Sequence, residues 1–213
     1  MNESKYKIEN QAILAALNIP YYDRVILYED EMESKIRSSI DIAKRILVLS
    51  YLCYATGTDE NKSAIINYLK EEDLWNSASK AEKKLFLKKN PTAIEKITIS
   101  WSIEAVWLLL FTINKVEKLD LPQLEINVDL IFDRLPEFMA DSKAFINSAA
   151  TRPVIEILSM WDLIYRLHWA CRDAELNDRK QFDLNPGILQ ERHHAINWVI
   201  NSDKNWENIT TDT

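Results

Sequence analysis

One glutamate stands alone in a long apolar stretch, since Glu104 is the only charged residue between Lys96 and Lys115. Successive residues of an α-helix are rotated by about 100°, which makes Trp101 and Trp107 its neighbours on the helix surface. We therefore expect the Glu104 carboxylate to be buried. Because a buried carboxylate is costly unless it is paired or protonated, an arginine or histidine elsewhere in the sequence should be its partner.

A second charge is expected inside the last helical run, where Arg192 lies in the middle of an apolar arc. The residues beside it fall on two flanks of the helix, with Glu191 and Trp198 on one flank and His193 and Asn197 on the other. We therefore expect the Arg192 guanidinium to be buried as well.

The run over residues 153–176 carries polar side chains in two directions. Asp162 and Arg166 share one line of the helix, whereas His168 and Arg172 point roughly 100° or more away from it. Two separate polar contacts are implied. The Asp162 and Arg166 pair contributes only a few tenths of a kcal/mol if solvated, but it constrains the structure strongly if it is shared with Arg192 or Glu104 in the core.

Two interpretations fit these charges, one structural and one catalytic. In the first, the charges pair in the core and fix the register of the helices without doing chemistry. In the second, histidine and glutamate act as general acid and base, or ligate a divalent metal, while arginine holds an anionic group. The candidate catalytic residues are Glu104, His168, Glu191 and His193, and the candidate binding residues are Arg166, Arg172, Arg192, Trp198 and Asp212.

No motif strengthens the catalytic interpretation. His193 and His194 are adjacent and face different directions on a helix, unlike the i, i+4 histidines of a zinc helix. We therefore predict no metal site and no cofactor. The sequence contains no GxSxG, P-loop or dinucleotide-binding fingerprint, which disfavours nucleophile-elbow hydrolases, P-loop NTPases and Rossmann enzymes.

The elements that position these residues are predicted to be helices. Only two glycines occur, Gly57 and Gly187, and hairpins and phosphate loops both depend on glycine. Apolar spacing predicts an all-α fold, a single globular multi-helix domain of roughly eight to ten helices over residues 1–213, with residues 203–213 as its C-terminal tail. The predicted helices are one ending at Pro20, 31–54, one capped by Asp59, one opened by a Ser79 and Glu82 capping box, 94–114, 128–135, 142–149, 153–176 and one from Pro186 to about residue 200.

Charge and cysteine usage restrict the partners and the compartment. The net charge is -7 and the isoelectric point is about 5.1, with acidic and basic residues interspersed, so nucleic acid is disfavoured as a partner. Cys53 and Cys171 lie in separate apolar runs and are expected to be reduced. The amino terminus has no apolar signal core, and residues 97–114 are interpreted as a core helix rather than a membrane span. A cytoplasmic location, without membrane or nucleic-acid contact, is the prediction.

Five runs of the sequence stand out as a recognisable pattern: IRSSIDIAKRILVL at 36–49, ISWSIEAVWLLL at 99–110, RPVIEILSMWDLIYRLHWACRDA at 152–174, PGILQERHHAINWVI at 186–200 and WENITTDT at 206–213. Together these runs resemble a bacterial family known as domain of unknown function 4272. The family's name records no activity, so the resemblance implies recurring positions rather than a reaction. Those positions are Arg152, Asp162, Arg166, His168, Trp169, Arg172, Glu191, Arg192, His193, Asn197, Trp198 and Asp212.

The resemblance also draws attention to the end of the chain, because residues so close to a terminus are commonly disordered. As part of a family pattern, Thr211 and Asp212 imply a tail that docks back, onto Arg172 or Arg192. Our leading functional prediction is a noncatalytic protein-interaction or regulatory module with a buried polar network, which binds an unknown protein or peptide of basic character. The alternative is an enzyme for a small anionic substrate, with histidine and glutamate as acid and base and an arginine clamp. The sequence leaves the oligomeric state open.

Overall fold

The computed structural model describes residues 5–21, 35–58, 61–179 and 182–213. Within these ranges the regular elements are helical, and the only β pairing is an isolated bridge between Lys35 and Asn201. The all-α prediction is confirmed. The α-helices are α1 (Lys5–Ala16), α2 (Ser39–Gly57), α3 (Lys62–Glu71), α4 (Lys80–Leu87), α5 (Ala93–Thr112), α6 (Val128–Phe132), α7 (Lys143–Asn147), α8 (Val154–Leu176) and α9 (Pro186–Ile200).

The helices group into two compact units, each discontinuous in sequence. The first unit comprises Met1–Arg37, Asp120–Glu125 and Arg152–Thr213, and the second comprises Ser38–Leu119 and Ile126–Thr151. No single cut, such as one near Leu121 and Pro122, would separate them. The single domain expected for residues 1–213 stays a prediction.

In the first unit, α8 packs against both α1 and α9. An apolar cluster that includes Leu14, Leu167, Cys171 and Leu189 joins the three helices. The Asn185 side chain caps α9 by accepting hydrogen bonds from the backbone of residues 187 and 188, and Pro186 is the first helical residue, as the sequence predicts.

Residues 35–37 lie beside the end of α9 and are not helical, so the predicted helix start at residue 31 is wrong for this part of the chain. The Arg37 guanidinium donates to the carbonyl oxygens of Trp198, Asn201 and Lys204 at 3.1, 2.9 and 2.6 Å. Since the last carbonyls of a helix have no intrahelical partner, Arg37 satisfies groups that would otherwise need water. Residues 22–34, which include the first four residues of the predicted helix, lie outside the described part of the chain.

In the second unit, α2 packs along α5 and also contacts α3, α4 and α7. Residues of both long helices are fully buried, among them Ile46 and Leu52 of α2 and Leu108 and Leu109 of α5. None of the helices in the described ranges combines the length and the hydropathy that a membrane span requires. This finding agrees with the interpretation of residues 97–114 as part of a core helix.

Several predicted helix ends differ from the observed ones. The helix α2 continues past the predicted end at residue 54 to Gly57, and Thr58 is the C-cap residue. The residue that precedes α3 is Asn61, in the left-handed conformation without a side-chain capping bond, and Asp59 lies outside the described residues. The helices α6 and α7 are both shorter than predicted, at five residues each.

The capping box predicted at the start of α4 is confirmed and does more than cap a helix. The Ser79 side chain accepts from the Glu82 backbone, and the Glu82 carboxylate accepts from the Ser79 N–H. The same carboxylate pairs with Arg45 of α2, with one contact at 2.9 Å, and both side chains are buried. Glu82 therefore caps the start of α4 and also neutralises a buried arginine.

We predict that Glu82→Gln lowers the free energy of unfolding by about 3 kcal/mol, because it leaves the Arg45 charge buried without a counterion. Glu95→Gln is a matched control, since Glu95 closes an equivalent capping box on Thr92 but pairs with Lys88 near the surface. The control should lose much less stability in urea denaturation. Equal losses in the two variants would show that the Arg45 pair adds nothing beyond the cap.

Candidate functional site

The most deeply buried charges of the first unit are an ion pair on α8. The Arg166 Nε donates to an Asp162 oxygen at 2.9 Å, and the two side chains are 1% and 0% exposed. The Asn10 amide of α1 donates to the other Asp162 oxygen at 2.8 Å and to the Ser159 carbonyl at 2.8 Å. Burial raises the pKa of the Asp162 carboxyl, whereas Asn10 and Arg166 act against that rise. Both carboxylate oxygens are therefore occupied by protein groups.

A second polar contact joins α8 to α9 through two histidines. The Nδ1 atoms of His168 and His193 are 2.8 Å apart, and their rings meet edge to face at 5.1 Å between centroids. The histidine pair is separate from the Asp162–Arg166 contact. This agrees with the prediction that polar side chains of this helix point in two directions. Tyr165 packs against His193 in a further edge-to-face contact.

The geometry of this pair fixes how its protons are distributed. A hydrogen bond between two Nδ1 atoms uses one proton, so one neutral ring carries hydrogen on Nδ1 and the other carries it on Nε2. Burial lowers the pKa of His168 to about 4, helped by the Arg172 charge. Burial also lowers the pKa of His193 to about 3, helped by His168 and His194. Both imidazoles are therefore neutral at neutral pH.

The two histidines border different cavities. His193 lies against a cavity of about 170 Å³ together with Tyr165, Lys204 and Asp212. His168 lies against a cleft of about 420 Å³ together with Cys171, Arg172 and Gln190. Burial raises the pKa of the Cys171 thiol to about 11, so it is not a thiolate nucleophile at neutral pH.

The candidate arginines of the first unit have different surroundings. Arg192 is buried, as predicted, and its Nη1 donates to the Asp120 carbonyl at 2.7 Å, which ties residues 120–125 to α9. Arg172 is exposed and pairs with Glu175 on the same helix. Arg166 belongs to the Asp162 pair. Of the three, only Arg172 borders the cleft beside His168.

The remaining candidates of α9 are Glu191, in the first half of the helix, and Trp198, in its last turn. Trp198 is buried beneath the Arg37 guanidinium, 3.9 Å from its ring centroid, and packs against Trp206. Glu191 is half-buried. These positions give Trp198 a packing role and place neither residue in the two cavities beside the histidines.

The tail residues contact α9 through three side chains of that helix. The Gln190 amide donates to the Thr211 hydroxyl at 2.7 Å, and the Asn197 amide donates to the Thr210 carbonyl at 2.8 Å. The His194 Nε2 lies 3.1 Å from the Trp206 carbonyl. These contacts hold residues 206–211 against α9, and docking of the tail onto Arg172 or Arg192 stays a prediction.

Glu104 belongs to the second unit, where it is fully buried as predicted. Its Oε1 accepts a hydrogen bond from the backbone N–H of Ile126 at 2.7 Å. Because this donor is a backbone N–H, residue types alone could not identify it, and the arginine or histidine partner expected for Glu104 stays a prediction.

The second unit also contains an apolar groove that our sequence analysis did not single out. The groove has a volume of about 540 Å³ and lies between α2 and residues 132–138. Tyr51 and Tyr54 of α2 face Phe138, with ring centroids 5.7 and 4.7 Å away. The only sign of it in the sequence is the run of aromatic and apolar residues in a short, charged segment after α5.

Two tyrosines hold the far wall of this groove in place. The Tyr51 hydroxyl accepts from the Met139 N–H at 2.8 Å, and the Tyr68 hydroxyl donates to the Ala140 carbonyl at 2.7 Å. Burial raises the pKa of Tyr68, so its hydroxyl keeps its proton for this bond. The groove is thus a preformed feature of the unit.

Among the described residues, no group of three or more histidine, cysteine, aspartate or glutamate side chains is arranged to hold a metal ion. The divalent-metal interpretation of the histidines and glutamates has no geometric support there.

We predict that His168 and His193 stay neutral at about pH 6, below the ordinary histidine pKa of about 6.5, with opposite tautomers visible in the nitrogen shifts of an NMR spectrum. The unfolded chain binds protons at these rings below about pH 6.5 that the folded chain does not bind. The free energy of unfolding should therefore fall as the pH drops from that value through the folded pKa of about 4. Two rings that titrate normally would contradict the buried pair.

Comparison with known proteins identifies the family of this chain but assigns it no activity. The family model described as Domain of unknown function (DUF4272) matches residues 6–209 of the 213-residue chain. No curated protein and no solved structure matches the chain. The resemblance seen in the runs of α8 and α9 is confirmed by a match that extends over both units. The chain belongs to the DUF4272 family.

Proposed function

We propose that this chain is a noncatalytic protein-interaction module, and that the apolar groove of its second unit binds a basic, partly apolar segment of another protein. The observation that carries this proposal is the groove itself, about 540 Å³ in volume and lined largely by aromatic and aliphatic side chains. Grooves of this kind accept anchor side chains from a helix or an extended peptide.

Exposure of apolar side chains supports a binding role for this face. Phe132 and Phe138 are 56% and 51% exposed at the groove, and Leu130 and Val128 of α6 are about 40% exposed. Contact between large aromatic side chains and water is unfavourable, so a partner that covers them gains the free energy of burying that surface. Aromatic residues are also those that contribute most at protein interfaces.

The charges around the groove favour a basic partner. Glu137 is an exposed member of the groove, and Asp129, Asp133 and Asp141 are exposed on the same segment. The one arginine of residues 128–141, Arg134, is half-buried, lies over the Trp107 ring and donates to a backbone carbonyl. Lysine or arginine residues beside the apolar anchors would meet these carboxylates and speed association.

The polar residues of the first unit support a noncatalytic role. Asp162 and Arg166 are sealed and paired, and His168 and His193 are neutral and bonded to each other. A general base with a pKa of about 4 has little driving force to take a proton at neutral pH. These groups therefore fit a scaffold better than a reaction centre.

One observation favours the enzyme alternative, because His168 and Arg172 border the same cleft. An anionic substrate there could contact the guanidinium while the imidazole exchanges a proton. Against this, Arg172 already pairs with Glu175, and Glu191 does not line the cleft.

If the module is noncatalytic, His168→Ala should change stability and leave peptide binding by the folded protein unaltered.

The test is selection of 15-residue peptides from a random library on the full chain, followed by calorimetric titration of the enriched peptides. We expect peptides with aromatic or leucine anchors beside lysine or arginine. Phe132→Ser and Glu137→Lys should each weaken binding by about tenfold or more, since each removes one kind of contact.

The matched controls are exposed residues of the same unit outside the groove, Ile94→Ser and Glu71→Lys. They should bind as the unaltered chain does. Enrichment of acidic peptides, no enrichment, or equal weakening by the control variants would overturn the proposal.

A further inference from the structure

A second binding site is indicated in the first unit, in the cavity of about 170 Å³ beside His193. The cavity lies among α8, α9 and the tail, and the tail contributes Ile209, Thr210 and Asp212 to its wall. We propose that this cavity binds a small free α-amino acid as its zwitterion. The proposal concerns a different unit from the groove and does not depend on the peptide-binding function.

The polar groups of the cavity divide into satisfied and available ones. The Trp161 indole donates to the side-chain oxygen of Asn197 at 2.7 Å, and the Asn197 side-chain amide donates to the Thr210 backbone carbonyl at 2.8 Å. These groups hold the wall together. Within the described residues, by contrast, the Tyr165 hydroxyl and the His193 Nε2 make no hydrogen bond.

His193 is the most telling of the available groups. The residue is 1% exposed, and its Nδ1 is engaged by His168, so a hydrogen-bond partner of its Nε2 must be water or a ligand in the cavity. A ligand that bonds to Nε2 replaces a water there and gains a comparable hydrogen bond. The ring can donate or accept there, because its neighbour takes the complementary tautomer.

Two opposite charges lie at the same cavity. Lys204 and Asp212 both border it, and neither forms an ion pair with the other or with any other described residue. An ammonium and a carboxylate on one small molecule would match an aspartate and a lysine that do not neutralise each other. A ligand with only one of these charges would leave the other side chain without a partner.

The size of the cavity limits the ligand. An apolar cavity of about 150 Å³ accepts benzene, so a space slightly larger admits roughly six to eight non-hydrogen atoms. Alanine, serine and threonine are in that range. Ile200 and Ile209 supply apolar surface for a short side chain, while Tyr165 and His193 can hydrogen-bond to a hydroxyl or a carboxylate.

The experiment is calorimetric and NMR titration of the full chain, labelled with nitrogen-15 at histidine, with each of the small L-amino acids. Lactate and ethylamine are the reference ligands, because each keeps one of the two charges. We expect saturable binding of at least one amino acid, a shift of the His193 Nε2 signal, and at least tenfold weaker binding of both reference ligands.

Two variants test the charges directly. Lys204→Met and Asp212→Asn should each weaken binding at least tenfold, while Lys35→Met and Asp203→Asn, which change exposed residues outside the cavity, should not. All four positions are on the surface, so folding can be checked and should be kept. No amino acid binding at millimolar concentration, equal binding of lactate or ethylamine, or binding unaffected by Lys204→Met and Asp212→Asn would each overturn the proposal.

Discussion

The first unit depends on the ion pair between Asp162 and Arg166, because two charges placed in a core must be satisfied where they lie. The pair occupies one face of α8, and Asn10 extends it to α1 by donating to the second carboxylate oxygen. Removing either partner would leave a charge in a site that excludes water, which is far more costly than losing a surface contact. The ion pair thereby fixes the rotation of α8 and the position of α1 against it.

The histidine pair applies the same constraint on another face of α8. Burial lowers the pKa of both His168 and His193 and so keeps the two rings neutral, while the hydrogen bond between their Nδ1 atoms ties α8 to α9. With both Nδ1 atoms engaged, Nε2 is the ring nitrogen left for chemistry in each residue, and the two residues line different cavities. The ion pair and the histidine pair use their polar groups to bond to each other. The proposed peptide-binding function therefore rests on the exposed groove of the second unit.

The sequence predicted the buried charges well because periodicity decides which face of a helix is apolar. Glu104 and Arg192 are buried as that argument requires, and Asp162 and Arg166, whose burial the sequence left open, are buried as well. Their partners were not predictable, since Asn10 is about 150 residues away in sequence from Asp162, and both Ile126 and Asp120 contribute backbone atoms. The groove was missed for a related reason: Tyr51 and Phe138 come together only through tertiary contacts, and the segment with Phe138 has no periodicity of its own. Helix starts failed where a non-local contact replaced the helix, as at Arg37.

A double-mutant cycle with Asp162→Asn and Arg166→Met tests most directly whether the buried charges are a structural pair. The free energy of unfolding of both single variants and the double variant would be measured in urea. We expect a coupling energy of about 2 kcal/mol or more, because the double variant removes both charges and leaves neither one alone. Additive losses, with a coupling below about 0.5 kcal/mol, would contradict it.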